Sequence, residues 1–197
     1  MVTDLSHLLG NGLTPVVATL ILLVIWVGLF LVFRSRNRSG RTGRSRALQK
    51  HNIHRARQAL ETIASIGASA SAGGQIIAYL RRLDPFVFEE LILEAFQRSG
   101  YQIRRNPRYT GDGGIDGQVR INGIWCIIQA KRYSGAIRPQ HVHDFVQLCE
   151  ERRQPGVFVH TGRTGPRSRS ALGRFDSAIF ISGDRLVRLL AEREFQA

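Results

Sequence analysis

The chain has 197 residues, with 28 Lys plus Arg against 15 Asp plus Glu, a formal net charge of +13. A 43% hydrophobic and 22% charged composition is that of a folded protein, which excludes disorder throughout and leaves room for one membrane or linker segment plus one domain of roughly 100–150 residues. Two cysteines, Cys126 and Cys149, exclude a disulfide-rich scaffold and a multi-cysteine zinc site; each sits in an apolar run, as a reduced core residue would.

Residues 1–13 form a short N-terminal segment without Lys or Arg. From Val16 to Phe33 the chain reads VVATLILLVIWVGLFLVF, with no ionisable side chain. At about 1.5 Å per residue this run covers most of a ~30 Å hydrocarbon core, so a single transmembrane helix is expected over 14–33. A cleaved signal peptide fits less well, because no basic residue precedes the apolar run and Arg34 follows it directly. Nine Lys or Arg and no acid lie between Arg34 and Arg57, which predicts an external N-terminus and a cytoplasmic remainder. The run RSRNRSGRTGRSR reads as a basic juxtamembrane tether drawn to anionic lipid; a nucleic-acid arm is the rival reading.

Ile53, Ala56, Leu60, Ile63 and Ala64 recur at helical spacing and predict a linker helix up to about Ile66. The small residues GASASAGG, Gly67 to Gly74, break it, so residues 34–80 are expected to be tether and linker, with the domain proper at 81–197. That domain holds nineteen basic and thirteen acidic residues, or +6, as a phosphate-binding surface would. Phe86, Phe88, Leu91, Ile92, Ala95 and Phe96 predict a helix stopped by Gly100. Strands follow at Tyr101–Arg104, Ile115–Ile121 and Ile124–Arg132, the last two joined by the hairpin dipeptide Asn122-Gly123. A helix over Pro139–Arg152, strands at Val157–His160 and Ala178–Ile181, and a closing helix over Asp184–Arg193 complete an α/β fold around a mixed sheet.

The hairpin brings chemistry together. Pairing Ile121 with Ile124 sets Asp116 opposite Gln129, and Lys131, two residues further on, points to the same face. An acid and a lysine at one site suit phosphodiester hydrolysis. Asp116 would hold a divalent cation and Lys131 would orient water or stabilise charge on phosphate, with Glu89 as a second carboxylate. The alternative is a buried Asp116–Lys131 ion pair with Gln129 merely hydrogen-bonded. His51 with His54, and His141 with His143, lack a third ligand and are expected on solvent faces. His160 ends a strand near the site, either as a structural histidine or as a phosphate contact. Arg163, Arg167, Arg169 and Arg174 are either a solvated cluster or contacts to a nucleic-acid backbone.

FEELILEAFQRSGY, GDGGIDG, IIQAKRY and GVFVHTG, in this order, resemble the catalytic domain of Mrr-type restriction endonucleases, a branch of the PD-(D/E)xK nuclease superfamily. The resemblance covers about residues 81–190. It implies a restriction-endonuclease-like mixed sheet flanked by helices and a DNA endonuclease using Mg²⁺ or Mn²⁺. Asp116 would be the metal-binding carboxylate, Gln129 would stand where the wider superfamily has an acid, Lys131 would be catalytic, and Glu89 would be the first-helix ligand. Arg132, His160, Arg163, Arg167 and Arg169 are the expected DNA contacts. The expected partners are DNA, anionic lipid and a second copy of the chain, with the protein in a prokaryotic inner membrane and acting in restriction of foreign DNA. A silent DNA-binding or signalling module of the same fold is the rival, and a membrane-organising protein the third reading.

Overall fold

The computed structural model describes residues 45–67, 72–106, 114–165 and 178–195. The apolar run at 16–33 and the basic segment at 34–44 lie outside the described residues, and among the described residues no helix is long and apolar enough to cross a membrane. Arg167, Arg169 and Arg174 also fall outside them. The chain divides into Met1–Ala47 and Leu48–Ala197, and the second unit contains the sheet.

Helix α1 covers 45–66, α2 Ala72–Leu80 and α3 Pro85–Arg98. Three antiparallel strands follow: β1 (Ile103–Arg105), β2 (Gly117–Ile121) and β3 (Ile124–Lys131). Helix α4 (Pro139–Arg152) crosses to β4 (Gly156–His160), parallel to β3, and β5 (Ala178–Ile181) adds in parallel to β4. The sheet order is β1-β2-β3-β4-β5. Helix α5 (Gly183–Val187) runs into a wide π-type turn, Arg188–Glu192, where a single closing helix was expected.

Local chemistry explains these boundaries. Pro85 opens α3, and Asp84 Oδ1 accepts from the Phe86 and Val87 N–H groups at 2.9 and 3.3 Å, satisfying donors that a helix start leaves free. Asn122 and Gly123 both take positive φ, +48° and +84°, the mirror-image turn that matches strand twist. The register is therefore the expected one, with Ile121 against Ile124 and Gly117 against Ile128.

The sheet has two unlike faces. Val119, Cys126, Ile128, Val157, Val159 and Ile181 belong to one continuous core with α1, α2, α3 and α5. Ile127 and Phe158, on the other face, pack with Phe145 and Cys149 of α4 in a small separate cluster. Both cysteines are buried and free.

The region expected as tether and linker is in part core. Ala56, Ala59, Leu60 and Ile63 of α1 are buried, as are Ala72, Ile76 and Leu80 of α2, a helix that includes the last three residues of GASASAGG. Glycine lowers helix propensity by about 1 kcal/mol per residue, but burying an i, i+4, i+8 stripe on a larger core outweighs it. Ala64, placed on the apolar face by its spacing, is exposed.

Candidate active site

Strand β3 carries most of the site, and its polar residues interrupt an apolar run for a visible reason. Gln129 is only 7% exposed, and its Nε2 donates to the Gly114 carbonyl at 2.7 Å. Gly114 has φ +86°, and a Cβ there would lie 2.6 Å from Gln129 Nε2, so this position of GDGGIDG has to be glycine. Asp116 sits one residue before β2. Its N–H donates to the Ile128 carbonyl at 2.9 Å, and its Oδ2 accepts from the Ala130 N–H at 2.6 Å. Such charge-assisted bonds fix the carboxylate beside β3.

Gln118 pairs with Ile127, so alternation puts Asp116 and Gln129 on that same face, with Lys131 next along it. Lys131 is half-buried at the end of β3, in register with His160. Among the described residues the ion pairs gather on α1, α3 and β1, and Lys131 joins none of them.

Glu89, half-buried in the first turns of α3, completes the group. Burial, then the charges of Asp116, Glu90 and Asp84, push its carboxyl up to about 8, while Lys131 pulls the other way. Glu90, its neighbour, is 1% exposed and takes the Arg105 guanidinium at 2.9 Å, so it turns inward to the core and leaves Glu89 to the site. Two mutually repelling carboxylates and an amide oxygen make a hard-oxygen donor set that fits Mg²⁺ or Mn²⁺. Among the described residues no group of three or more His, Cys, Asp or Glu side chains is placed to hold a metal, so Gln129 and water would have to complete the shell.

The expected DNA contacts fare unevenly. Arg163 is exposed beyond β4. Arg132 is half-buried, and its Nη1 donates to the Arg81 carbonyl at 2.9 Å, tying the end of β3 to the end of α2. His160 is wholly buried and presents no ring to a phosphate. Neither of its ring nitrogens has a protein hydrogen-bond partner of good geometry, although the Gly162 backbone acts on the ring. His51, His54 and His143 are exposed as expected. His141 is not: it is half-buried, with Nδ1 2.6 Å from the Tyr133 hydroxyl. Burial pushes the Tyr133 hydroxyl up to about 12 and, with Lys131 and Arg138, holds His141 below its usual range, so both are neutral near pH 7. Tyr133 follows Lys131 by two residues and His141 opens α4, but a pair eight residues apart with no repeat gave no sequence signal.

The fold is an α/β domain with a mixed five-stranded sheet flanked by helices. The restriction endonuclease family model Mrr_cat matches residues 80–190, more than half of the chain, and the chain belongs to that family. It is also similar to the type IV methyl-directed restriction enzyme EcoKMrr of Escherichia coli (strain K12), 28% identical over 128 residues that cover 61% of this chain and 42% of that one. Among solved structures it is similar to the DNA modification-dependent restriction endonuclease AspBHI, with a TM-score of 0.47, 20% identity, and coverage of 64% of this chain and 36% of that one. The chain thus spans less than half the length of either relative.

Proposed function

We propose that the protein is an endonuclease that hydrolyses DNA phosphodiester bonds with Mg²⁺ or Mn²⁺, with Asp116, Glu89 and Gln129 holding the cation and Lys131 serving the scissile phosphate. The observation that carries this reading is that the β2–β3 register sets Asp116, Gln129 and Lys131 on one face, with Glu89 near enough for the charges of Asp116 and Lys131 to act on its carboxyl. A bound divalent cation would neutralise the carboxylates and lower the pKa of a water molecule. Asp116 is held still by the Ala130 N–H and Gln129 by the Gly114 carbonyl, so neither group has to be reorganised. Lys131, on the same face, orients the attacking water and meets the charge that builds on the phosphoryl oxygens. The basic excess of the domain attracts the DNA backbone.

The full chain with Mg²⁺ or Mn²⁺ is expected to cut plasmid DNA, and the naming of the E. coli relative makes methylated plasmid the first substrate to compare with unmethylated. Asp116→Ala and Lys131→Ala should each lower the rate by at least about a hundredfold. Salt-sensitive DNA binding with no cleavage would instead support a silent module.

A membrane anchor at 14–33, with the domain on the cytoplasmic side, is part of the same proposal and rests on the uncharged apolar run and the basic segment after it. The expressed protein should stay in the membrane pellet through an alkaline carbonate wash; release into the supernatant would remove the anchor and leave the nuclease reading intact.

A further inference from the structure

We propose that α1, which lies outside the family-matching segment, is a positioning element of the site, and that Gln49 sets the spacing between Glu89 and Asp116 and with it the affinity for a divalent cation. This rests on the cation-holding role proposed above.

The elements bearing those two carboxylates are bridged by one α1 side chain. Gln49 Nε2 donates to Glu90 Oε1 at 3.2 Å and to the Asn106 carbonyl at 2.8 Å, using both amide hydrogens. Asn106, just after β1, donates from its own Nδ2 to the Ile115 carbonyl. One end of the bridge is therefore the residue after Glu89 and the other is the residue before Asp116. Between them runs a charge network built on two buried carboxylates. Arg105 takes both Glu90 and Glu94, and Arg57 of α1 meets Glu94 at 2.8 Å. Glu90 and Glu94 are 1% and 4% exposed, and buried carboxylates keep their place only while paired. The network thus pins the flank of α3 next to Glu89, and Gln49 joins that pin to the entry of β2.

Residues that hydrogen-bond a metal ligand directly are typically worth about ten- to a hundredfold in metal affinity, and Gln49, acting through the residues next to the two ligands, is assigned the lower end of that range. Another α1–α3 contact provides the control: Arg98 meets Glu61 at 2.8 Å on the exposed surface, with Glu61 twelve residues beyond Gln49 on α1 and outside the bridge.

The test is calorimetric titration of the full chain with Mn²⁺, alongside thermal melting in metal-free buffer. Gln49→Met keeps the length of the side chain and removes its donors; it should weaken Mn²⁺ binding about tenfold. Asn106→Ala, which breaks the other end of the bridge, should shift affinity in the same direction and stands in if Gln49→Met fails to fold. Arg98→Ala should bind as the unsubstituted chain does. Unaltered affinity in both bridge variants overturns the inference. So does an equal loss in Arg98→Ala, because any loosening of α1 would then suffice. Absence of Mn²⁺ binding by the unsubstituted chain overturns this inference together with the proposed cation site, whereas normal binding there with normal binding in the bridge variants overturns this inference alone.

Discussion

The two faces of the sheet follow opposite rules. On the α1–α3 side, apolar residues from four helices and four strands merge into one core, and its buried carboxylates are fully paired. On the α4 side the core is a small cluster around Ile127, Phe145, Cys149 and Phe158, and beside it stand Gln129, Lys131, His141 and a buried His160 whose ring nitrogens make no hydrogen bond of good geometry. The first face fixes the shape of the domain. The second accepts incompletely satisfied polar groups, the pattern expected where binding or chemistry is supported by stability generated elsewhere. Strand β3 belongs to both, with Ile128 and Ala130 anchored in the main core and Gln129 and Lys131 on the other side.

The comparison breaks most sharply at α1. If that helix is core and not linker, Leu60→Ala should cost about 3 kcal/mol, since Leu60 is 2% exposed and truncation leaves a cavity in the main core. His143→Ala, on the exposed side of α4, should stay within about 0.5 kcal/mol. Urea denaturation measures both. A Leu60→Ala loss no larger than that of His143→Ala would return α1 to the tether.

Much of this was legible in the sequence where a local rule acts alone. The Asn122-Gly123 turn set the β2–β3 register, and with it the common face of Asp116, Gln129 and Lys131. Pro139 and the spacing of Val142, Phe145, Val146 and Cys149 gave α4 with its observed ends. What escaped depended on distant partners. Nothing local to Gly73 and Gly74 predicts a helix; the helix exists because Ile76 and Leu80 reach a core assembled from later elements. Likewise Gln49 and Arg57 read as members of a linker helix, because Glu90, Glu94 and Asn106 lie 37 to 57 residues away. The hydrogen bond from Arg132 to the Arg81 carbonyl escaped for the same reason, since the two residues are 51 apart.

His160 gives a smaller and more specific test of the polar face. Its ring lies against Tyr133 and Phe158, with Lys131 in register on the adjacent strand. Burial holds it down at about 4, below the ordinary 6.5, although the Gly162 backbone favours the charged form. Above pH 6.5 the ring is neutral in both folded and unfolded chains, so its contribution to stability is fully present there. As pH falls from 6.5 towards 4, the unfolded chain takes a proton that the folded one refuses, and stability drops by up to about 3 kcal/mol before levelling off. His160→Phe replaces the ring with another that suits these aromatic neighbours and removes two buried nitrogens without partners. Subtracting its stability-versus-pH curve from that of the unsubstituted chain cancels Glu89 and the other carboxylates. The difference should slope only between pH 6.5 and 4; a flat difference would mean that the pocket admits water or a partner for the imidazolium, and that the polar face is better solvated than its burial implies.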